Sequence, residues 1–493
     1  MLLRSVLVAI FALPALISGN QFPIANGAIG GVPSESPDAC NFKSQKGTFS
    51  NDDSTPGQLR VVENSGVCET SPDVYQASGY GDLTSADKSI WFWFFAARND
   101  PDTAPLITWF NGGPGSSSML GLFQELGPCR INNDSTEVYL NPRSWNEVAN
   151  VLFIDQPAGT GFSYGIENVD TSEQAAVDVW EFLQIWFADS RFDKYASRDF
   201  GIWTESYGGH FGPTFAADCG YFLEQNAAIE SGTVEGVTIN LKVLGIGNGI
   251  TDALSQYPGY LEYALSNPYH PLVNLSVVEA AYTAWSEGGC RDQIIECSNG
   301  GDDSVCSAAQ NVCQYQILYN LYGIWDVYYV PTDDPDPYPP ALDSYLNSQA
   351  VTSKIGSQNT CAQSNEDMVN QFALTGDYIR SKRSYHETVT NAGVRTVLYD
   401  GDADFICNYM GFEAMIDTLD TLFSSLYAEQ DFANYTVDGE LAGLYKNAGT
   451  FSYLRVYGAG HEVPAYMWRD VPRGAAALQM FTQIMSDQPL SGT

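Results

Sequence analysis

The sequence predicts an α/β fold with a mainly parallel central sheet and helices on both faces. Seven apolar, β-branched or aromatic runs are typical of buried strands. They are Ile90–Ala96, Leu106–Phe110, Val151–Asp155, Phe200–Thr204, Val243–Ile246, Thr396–Tyr399 and Tyr453–Val456. Amphipathic helical stretches, Glu173–Ala188 and Phe211–Gln225, lie between some of them, and this alternation predicts the parallel sheet. Because ligands bind beyond the carboxyl ends of such strands, we look for chemistry where strands end.

The length of 493 residues, 44% of them hydrophobic, allows a large core and exceeds one ordinary domain. No Gly/Ser- or Pro-rich linker divides the chain, which favours one large core domain with an insertion over two equal domains. Region 255–365 breaks the strand–helix alternation, and we interpret it as a cap over the site. The predicted organisation is a signal peptide (1–19), an N-terminal extension (20–79), a first core part (80–254), the cap (255–365) and a second core part (366–493).

The net charge of the chain is −37. Such a surface repels phosphate backbones and anionic lipid, so we expect neither nucleic acid nor a membrane surface as a partner. For most of this charge the simplest interpretation is solubility in an acidic compartment, where carboxylates take up protons. The sequence does not indicate an oligomeric state.

The N-terminus is typical of a secretory signal peptide. Met1–Arg4 carries one positive charge, Ser5–Ile17 is mostly apolar, and the small residues Ser18 and Gly19 follow. The apolar run is too short to cross a bilayer, and no later segment offers about 18 uncharged apolar residues, so no membrane span is predicted. A buried first helix is the alternative, but a helix-poor stretch follows. We expect secretion, with the vacuole as the alternative destination.

The ten cysteines agree with an oxidising compartment. Four of them form a compact group, for which we predict the nested pairs Cys290–Cys313 and Cys297–Cys306 across a helical hairpin. A zinc site is the alternative, but the spacing lacks a close C-x-x-C pair and no histidine lies nearby. Three sequons are compatible with glycosylation on the secretory path, at Asn133, Asn274 and Asn434.

A candidate nucleophile lies in the segment FGIWTESYGG, which ends a predicted strand and opens a helix. Ser206 is at the turn and Gly208 follows two residues later, which is the nucleophile-elbow pattern. Thr204 stands where the pattern usually has glycine, so the motif is weaker than a full G-x-S-x-G. The alternative is a serine that caps the following helix, but the segment favours the nucleophile.

A serine nucleophile needs a base, and the chain has only four histidines. His461 lies in the Gly-rich loop YGAGHEVP directly after a predicted strand, from which an imidazole can reach across the strand ends. His210 is the rival, but it follows Ser206 by one helical turn, and we expect it to pack beneath the elbow. His270 and His386 are both interpreted as surface residues.

The base in turn needs a carboxylate, which holds its tautomer and stabilises the imidazolium. Asp400, Asp402 and Asp404 follow the strand that ends at Tyr399, and spacing alone does not choose among them. Calcium binding is the alternative for this loop, but no EF-hand spacing with a terminal Glu follows. The order Ser, then Asp, then His along the chain is that of the α/β-hydrolase fold.

A fourth segment, Trp109–Ser117 (WFNGGPGSS), also follows a predicted strand directly. Its Gly-Gly turn can present a backbone N–H toward the elbow, and with the N–H of Tyr207 this donor would form an oxyanion hole. An ordinary Gly/Pro turn is the alternative. The position after the second strand, where hydrolases keep this loop, favours the oxyanion hole.

Together these segments resemble the serine carboxypeptidase family, and within it a fungal branch. The resemblance runs from Tyr80 to the C-terminus through several independent motifs in the family's order. They are WFWFFAARND (91–100), WFNGGPGSS (109–117), NPRSW (141–145), DQPAGTGFSY (155–164), TESYGG (204–209), GNGITD (247–252), GDADFICN (401–408) and GAGHEVP (458–464).

The resemblance implies Ser206 as the nucleophile, His461 as the base and Asp404 as the residue that orients the base. It thereby chooses among the three aspartates. It also implies Gly113 and Tyr207 as the oxyanion donors. No metal and no cofactor is implied.

The resemblance further implies that Asn111, Glu125 and Glu205 hold the terminal carboxylate of a peptide, with Trp109 beside them. Two glutamates and a substrate carboxylate cannot all be ionised at close range, so at least one group must hold a proton and donate a hydrogen bond. Without the resemblance, Glu125 would be interpreted as a solvated charge on a short helix.

Two further residues of the implied site would lie near the substrate. Cys407 is in the aspartate loop, where some members of the family have a free thiol. Glu462 directly follows the candidate base and would line the pocket of the leaving residue, where its charge would favour a basic side chain. Among the cysteines outside the nested group (Cys40, Cys68, Cys129, Cys219, Cys361 and Cys407) we suggest one further bridge, Cys68–Cys361.

The implied activity is that of an acid-active serine carboxypeptidase, which hydrolyses the last peptide bond through an acyl-enzyme. Its substrates would be the C-termini of peptides or proteins. An acyltransferase on the same scaffold and a non-catalytic binding homologue are the alternatives. The presence of Asn111, Glu125 and Glu205 favours the peptidase over the acyltransferase. The presence of Ser206, Asp404 and His461 favours an enzyme over the binding homologue.

Overall fold

The computed structural model describes residues 55–84, 87–217, 222–332 and 341–493. The predicted signal peptide, most of the N-terminal extension, Cys40 and Cys219 lie outside these residues. The strands of the described residues are β1 (Gln58–Glu63), β2 (Gln76–Asp82), β3 (Lys88–Phe95), β4 (Leu106–Phe110), β5 (Cys129–Ile131), β6 (Val138–Leu140), β7 (Asn150–Ile154), β8 (Tyr164–Gly165), β9 (Phe200–Glu205), β10 (Leu241–Gly247), β11 (Arg395–Gly401), β12 (Ala433–Val437), β13 (Glu440–Ala448) and β14 (Phe451–Val456).

One large sheet organises the molecule, in the strand order β1-β2-β3-β7-β4-β9-β10-β11-β14-β13-β12, with β8 beside β3. Its six central strands, from β7 to β14, run parallel. Antiparallel strands flank them on both sides, and β5 and β6 form a separate small hairpin. The predicted α/β-hydrolase fold is confirmed, although the sheet is mixed, with a parallel centre and antiparallel strands on both sides. No end of the seven predicted strands moves by more than two residues.

Alternation along the strands divides the core between the two faces of the sheet. On β3, Phe92 and Phe94 join one buried cluster, whereas Trp91, Trp93 and Phe95 join the other. Successive side chains of a strand point to opposite faces, so a continuous apolar run is what a strand covered on both faces requires. This burial explains why the strands could be identified from composition.

Helices cover both faces. They are α1 (Ser172–Ala188), α2 (Gly208–Ala217), α3 (Phe222–Glu230), α4 (Ala253–Ser266), α5 (Leu275–Trp285), α6 (Cys290–Ser298), α7 (Asp303–Cys313), α8 (Tyr319–Leu321), α9 (Asp343–Leu346), α10 (Gln349–Ile355), α11 (Glu366–Thr375), α12 (Arg383–Asn391), α13 (Tyr409–Ile416), α14 (Ser424–Ala428) and α15 (Ala475–Met485). The prediction for α1 is confirmed within one residue, and Thr171 caps it through Gln174. The second predicted helix overlaps parts of α2 and α3.

Five strands of the large sheet were not predicted: β1, β2, β8, β12 and β13. The short β8 pairs with β3. β1 and most of β2 lie within the expected N-terminal extension and pair with each other and with β3. The hairpin of β12 and β13 extends the other side of the sheet from β14. Residues 55–82 therefore contribute to the same sheet as the core.

The cysteine pairing is partly as predicted. Cys290–Cys313 and Cys297–Cys306 are bonded and staple α6 to α7, which confirms the nested pairs. The suggested bridge from Cys68 to Cys361 is wrong, because Cys68 is bonded to Cys129 at the start of β5. Cys361 is a buried thiol whose sulfur lies 3.9 Å from the Ser117 hydroxyl.

Segment 327–330 of the insertion bonds directly to the loop that follows β11. The carbonyl of Val327 accepts hydrogen bonds from the N–H groups of Phe405 (3.0 Å) and Ile406 (3.1 Å), and the Val330 N–H donates to Ala403 (3.0 Å). Segment 327–330 therefore holds the loop that follows β11. Within the described residues no helix has the length and apolar character needed to cross a membrane.

Candidate active site

Ser206 lies in a sharp turn between β9 and α2. Its φ of 65° is in the left-handed region, which is uncommon for a residue with a side chain and points to a constrained turn. The backbone around it is bonded on both sides, because its N–H donates to Gly247 (3.1 Å) and its carbonyl accepts from Ile250 (2.9 Å). Ser206 is half-buried, so its hydroxyl stays accessible at the carboxyl end of the sheet.

The glycine loop after β4 packs against this elbow. A Cβ at Gly112 would lie 2.3 Å from the backbone N of Tyr207 and 2.8 Å from the Cβ of Ser206, so only glycine allows the approach. Gly113, at φ 105°, is the next residue of the same loop. Among the described residues, neither the Gly113 N–H nor the Tyr207 N–H donates to another backbone carbonyl.

His461 and Asp404 form a buried pair on the loops after β14 and β11. The Nδ1 atom of His461 and the Oδ2 atom of Asp404 are 2.7 Å apart, and both side chains are fully buried. The His461 backbone N–H donates to Tyr328 of segment 327–330 (2.9 Å), so the insertion also holds this loop. A hydrogen bond at Nδ1 leaves Nε2 as the imidazole atom that can take part in proton transfer.

Asp404 accepts hydrogen bonds from both sides of its loop. The Ile406 N–H donates to Oδ1 (2.8 Å), and the Cys407 N–H approaches Oδ2 at 3.3 Å. Oδ2 also accepts from the side-chain amide of Asn248 (2.8 Å). Donors of this kind stabilise an ionised carboxylate and fix its direction.

Asn248 is a site residue that the sequence analysis did not single out. It follows β10 at φ 36°, a left-handed conformation that asparagine tolerates better than most residues. Its Oδ1 accepts from the Gly401 N–H (2.9 Å), and its own N–H donates to Tyr399 (2.8 Å). Asn248 therefore joins the end of β10 to the loop that contains Asp404. The signal was its position in the GNGITD motif at a strand end.

Cys407 links the elbow to the histidine–aspartate pair. Its thiol is buried and contacts the Ser206 hydroxyl, and its sulfur lies within 4.8 Å of ligand atoms of Asp404 and His461. Burial, followed by the nearby charge of Asp404, raises the pKa of this thiol well above its ordinary value, so the thiol stays neutral. These four residues thus meet at one place. The same three ligand atoms could hold a soft metal ion, although His461 Nδ1 is already bonded to Asp404.

A second polar group lies beside the elbow. Trp109 Nε1 donates to Asn111 Oδ1 (2.7 Å), which fixes the amide, and Asn111 Nδ2 donates to Glu205 Oε1 (3.2 Å). Glu205 ends β9 directly before Ser206 and is buried. Asn111 is therefore oriented by the neighbouring tryptophan with its amide directed at the Glu205 carboxylate.

Glu125 completes this group at the end of a π-helical turn, Gly121–Glu125. It is fully buried, so its interpretation as a solvated helix charge is wrong. Burial first, and then the charges of Glu205 and Glu462, raise its pKa well above the usual range. Its carboxyl oxygens make no hydrogen bond of ordinary geometry with the described residues. The group can therefore hold a proton at mildly acidic pH and donate it to a bound anion.

Two more residues border these carboxyl groups. Glu462 is buried (5% exposed) and interacts electrostatically with Glu125. Tyr399, near the end of β11, was not predicted. Its pKa is raised well above the ordinary value by burial and then by Glu205 and Glu125, so its phenol is neutral beside them. We call the group of Asn111, Glu125 and Glu205 the carboxyl cluster, and Glu462 and Tyr399 lie at its border.

The other histidines have structural surroundings. His210 packs beneath the elbow as predicted, stacked 4.6 Å from the Tyr207 ring with Nδ1 2.6 Å from the Ile250 carbonyl. The prediction that His386 lies at the surface is wrong, because it is fully buried and burial lowers its pKa to about 4. His270 is half-buried rather than exposed, since its ring bonds to Val330 (2.8 Å) and packs on Trp325.

A serine in a tight turn after β9 and a buried histidine–aspartate pair after β14 and β11 define a protein of the α/β-hydrolase class. Residues 66–487 match the family described as "Serine carboxypeptidase". The chain therefore belongs to the serine carboxypeptidase family. This membership confirms the prediction of a serine-type carboxypeptidase, a peptide hydrolase.

Individual relatives agree with this membership. The chain is 42% identical over 435 residues to Carboxypeptidase S1 of Penicillium janthinellum. The alignment covers 88% of this chain and 100% of the relative. It is 37% identical over 422 residues to Carboxypeptidase Y of Schizosaccharomyces pombe. This alignment covers 82% of this chain and 41% of that relative. The predicted likeness to a fungal branch is therefore confirmed.

A solved structure supports the fold. The crystal structure of Kex1(delta)p, a prohormone-processing carboxypeptidase from Saccharomyces cerevisiae, superposes with a TM-score of 0.65 at 23% sequence identity. The match covers 86% of this chain and 92% of the other. The shared architecture is that of the sheet and its surrounding helices.

We expect Asn248→Ala to lower kcat about 10- to 100-fold with little change in KM, because a hydrogen bond to a charged group contributes about 1.5–3 kcal/mol. The measurement is steady-state hydrolysis of a blocked dipeptide. Asn447→Ala is the matched control, since its amide donates to Leu490 (2.9 Å), outside the site. A wild-type kcat in Asn248→Ala would show that Asp404 keeps its orientation without this amide.

Proposed function

We propose that this protein removes the C-terminal residue of peptides through an acyl-enzyme on Ser206, and that it acts best at acidic pH. The observation that carries the proposal is the carboxyl cluster beside the elbow. A hydrolase that accepts any ester or amide has no need of buried acids at this place. An exopeptidase needs a group that recognises the terminal carboxylate at a fixed distance from the nucleophile.

In the first half of the reaction Ser206 Oγ attacks the carbonyl carbon of the last peptide bond while His461 Nε2 takes the hydroxyl proton. Asp404 keeps the imidazole in the required tautomer and stabilises the imidazolium. The N–H groups of Gly113 and Tyr207 receive the negative charge that develops on the carbonyl oxygen. His461 then gives its proton to the leaving amine, and the C–N bond breaks.

In the second half water takes the place of the departed amino acid. His461 removes a proton from this water, the hydroxyl attacks the acyl carbon, and the proton returns to Ser206 as the ester bond breaks. The donors that served the first tetrahedral intermediate serve the second. The neutral Cys407 thiol lies against Ser206 as a packing contact of the site and donates no proton in this scheme.

The terminal carboxylate of the peptide is held by Asn111, Glu125 and Glu205, with Trp109 fixing the amide. Support comes from the burial of the two acids and from the raised pKa of Glu125. A protonated Glu125 donates a hydrogen bond to the incoming anion, whereas an ionised Glu125 repels it. This proton is lost as the pH rises through the raised pKa, so substrate binding weakens on the alkaline side.

Export of the protein stays a prediction. It is supported by the N-terminal apolar run, by three disulfides, and by the exposure of Asn133, Asn274 and Asn434 at the surface. Secretion and delivery to a vacuole share this route. The mass of the mature chain before and after removal of N-glycans tests glycosylation at these sites.

We expect KM for a blocked peptide acid to rise about 10-fold or more between pH 5 and pH 8, because Glu125, whose pKa is raised, gives up its proton as the pH increases. A matched peptide amide, which has no terminal anion, should show no such rise. Glu125→Gln keeps a donor that does not titrate, so its KM should vary little with pH. The exposed Glu296→Gln is the control, and Ser206→Ala gives the background rate.

The proposal fails if the wild-type protein hydrolyses the acid and the amide equally well at pH 5. Its explanation of the pH dependence fails if KM of Glu125→Gln for the peptide acid rises with pH as it does for the wild type. These two results separate an error about the substrate from an error about the titrating group.

We further propose that Glu462 lines the pocket of the leaving residue and favours a basic side chain. We expect kcat/KM for a peptide ending in Lys to exceed that for one ending in Leu by about 5-fold, since a buried opposite charge attracts the ammonium group. Glu462→Gln should remove the difference. Equal values for the two peptides with the wild-type protein would remove the support for this role.

A further inference from the structure

Arg130 is a buried arginine that the proposed mechanism does not use. It lies on β5 directly after the disulfide-bonded Cys129 and is 4% exposed. Its Nη2 donates to the backbone carbonyls of Glu125 (2.8 Å) and Pro464 (3.0 Å). Its Nε and Nη1 have no hydrogen-bond partner among the residues that the structure describes.

The two carbonyls belong to the two halves of the site. Glu125 ends the π-helical turn that contributes to the carboxyl cluster, and Pro464 lies in the short turn Val463–Ala465, which follows His461 and Glu462. These two turns pack against each other. One guanidinium therefore fixes the spacing between the acid of the cluster and the loop of the candidate base.

The energetics of this arginine point to a second role. Burying a cation without an ionic partner costs several kcal/mol, and two neutral carbonyls return only part of that cost. Its basic neighbours Arg473 and Arg143 increase the cost, and burial together with Arg473 lowers the pKa of Arg130 to about 10. The group is still a cation at pH 5 to 8. The ionised form of Glu125 is one of the charges that interact with it.

We infer that Arg130 is a positioning residue of the terminal-carboxylate site, which holds Glu125 against the His461 loop and complements the anion bound there with its charge. This inference rests on the proposed function of the carboxyl cluster. The ligand concerned is the terminal carboxylate of a peptide. An arginine that only ties two turns together would affect the fold of the site but not its response to pH.

The test compares Arg130→Gln with the matched control Arg143→Gln. Arg143 is a half-exposed member of the same basic group, and its only hydrogen bond among the described residues is from its backbone N to Asn141 Oδ1 (3.0 Å). KM and kcat are measured for a blocked peptide acid and its amide from pH 4 to 9. Ser206 labelled by a fluorophosphonate counts the competent sites.

For Arg130→Gln we expect KM for the peptide acid at pH 5 to rise about 10-fold, kcat to change less than about 2-fold, and the amide to be unaffected. Removing a positive charge near Glu125 disfavours its ionised form, so its proton leaves at higher pH. The alkaline limb, which is the fall of kcat/KM for the acid at high pH, should therefore shift to higher pH by about half a unit or more. Arg130→Lys should keep the wild-type limb, and Arg143→Gln should match the wild type throughout.

An unmoved limb in Arg130→Gln, or an equal loss on the acid and the amide, would overturn the inference. If Arg130→Gln does not fold, Arg130→Lys decides. An ammonium group cannot reproduce the guanidinium geometry at both carbonyls, so KM for the acid must rise at least about 3-fold. An unchanged KM in Arg130→Lys would overturn the inference. A wild-type protein that does not distinguish the acid from the amide would instead refute the proposed function.

Discussion

The buried hydrogen bond between His461 and Asp404 is the interaction on which the rest of the site depends. The two residues are 57 positions apart and lie on loops after different strands, yet their side chains meet at 2.7 Å. Parallel pairing of β11 with β14 brings the two loops to the same edge of the sheet. In the proposed mechanism this contact sets the tautomer and direction that the imidazole needs in order to act as a base on Ser206.

Three groups support that contact, two of them from other parts of the chain. Asn248 reaches Asp404 from the end of β10, segment 327–330 bonds to both loops from the insertion, and Cys407 fills the space between them and the elbow. Segment 327–330 of the insertion is therefore part of the architecture of the site. Because Asn248 and segment 327–330 come from distant parts of the sequence, the geometry depends on the complete tertiary fold.

The carboxyl groups of the carboxyl cluster and of the histidine–aspartate pair have different surroundings. Asp404 has donors directed at both of its oxygens. Glu125 is instead buried near the acids Glu205 and Glu462, and its oxygens make no hydrogen bond of ordinary geometry with the described residues. The first arrangement fixes the direction of a carboxylate, and the second raises the pKa of a carboxyl group. Two carboxyl groups of one site are thus suited to different tasks by their surroundings. In the proposed site the buried Arg130, bonded to the Glu125 carbonyl, adds positive charge for an incoming carboxylate.

The sequence predicted the fold well where strands are buried on both faces. Apolar runs marked the seven predicted strands, but β12 and β13 mix exposed and buried residues and follow no clear period. Their Asp438–Gly439 turn was the available signal, since such pairs favour tight hairpins. The pairing of Cys68 could not be predicted, because sequence separation says little about which thiols meet in space.

For the site, motifs at strand ends located Ser206 and His461, and the family resemblance chose Asp404 and Glu125. Composition alone could not choose either acid, since both depend on neighbours far along the chain. Asn248, Tyr399 and Arg130 were missed for the same reason. The amide of Asn248 and its carboxylate partner are 156 residues apart, and such a contact leaves no periodic trace in the sequence.

The most direct test of the account is covalent labelling with a fluorophosphonate, followed by peptide mapping by mass spectrometry. We predict that the wild-type protein carries one label, on Ser206, and that His461→Ala and Asp404→Asn react at least about 1,000-fold more slowly. Labelling at another residue, or an unchanged rate in His461→Ala, would contradict the claim that the buried pair activates this serine.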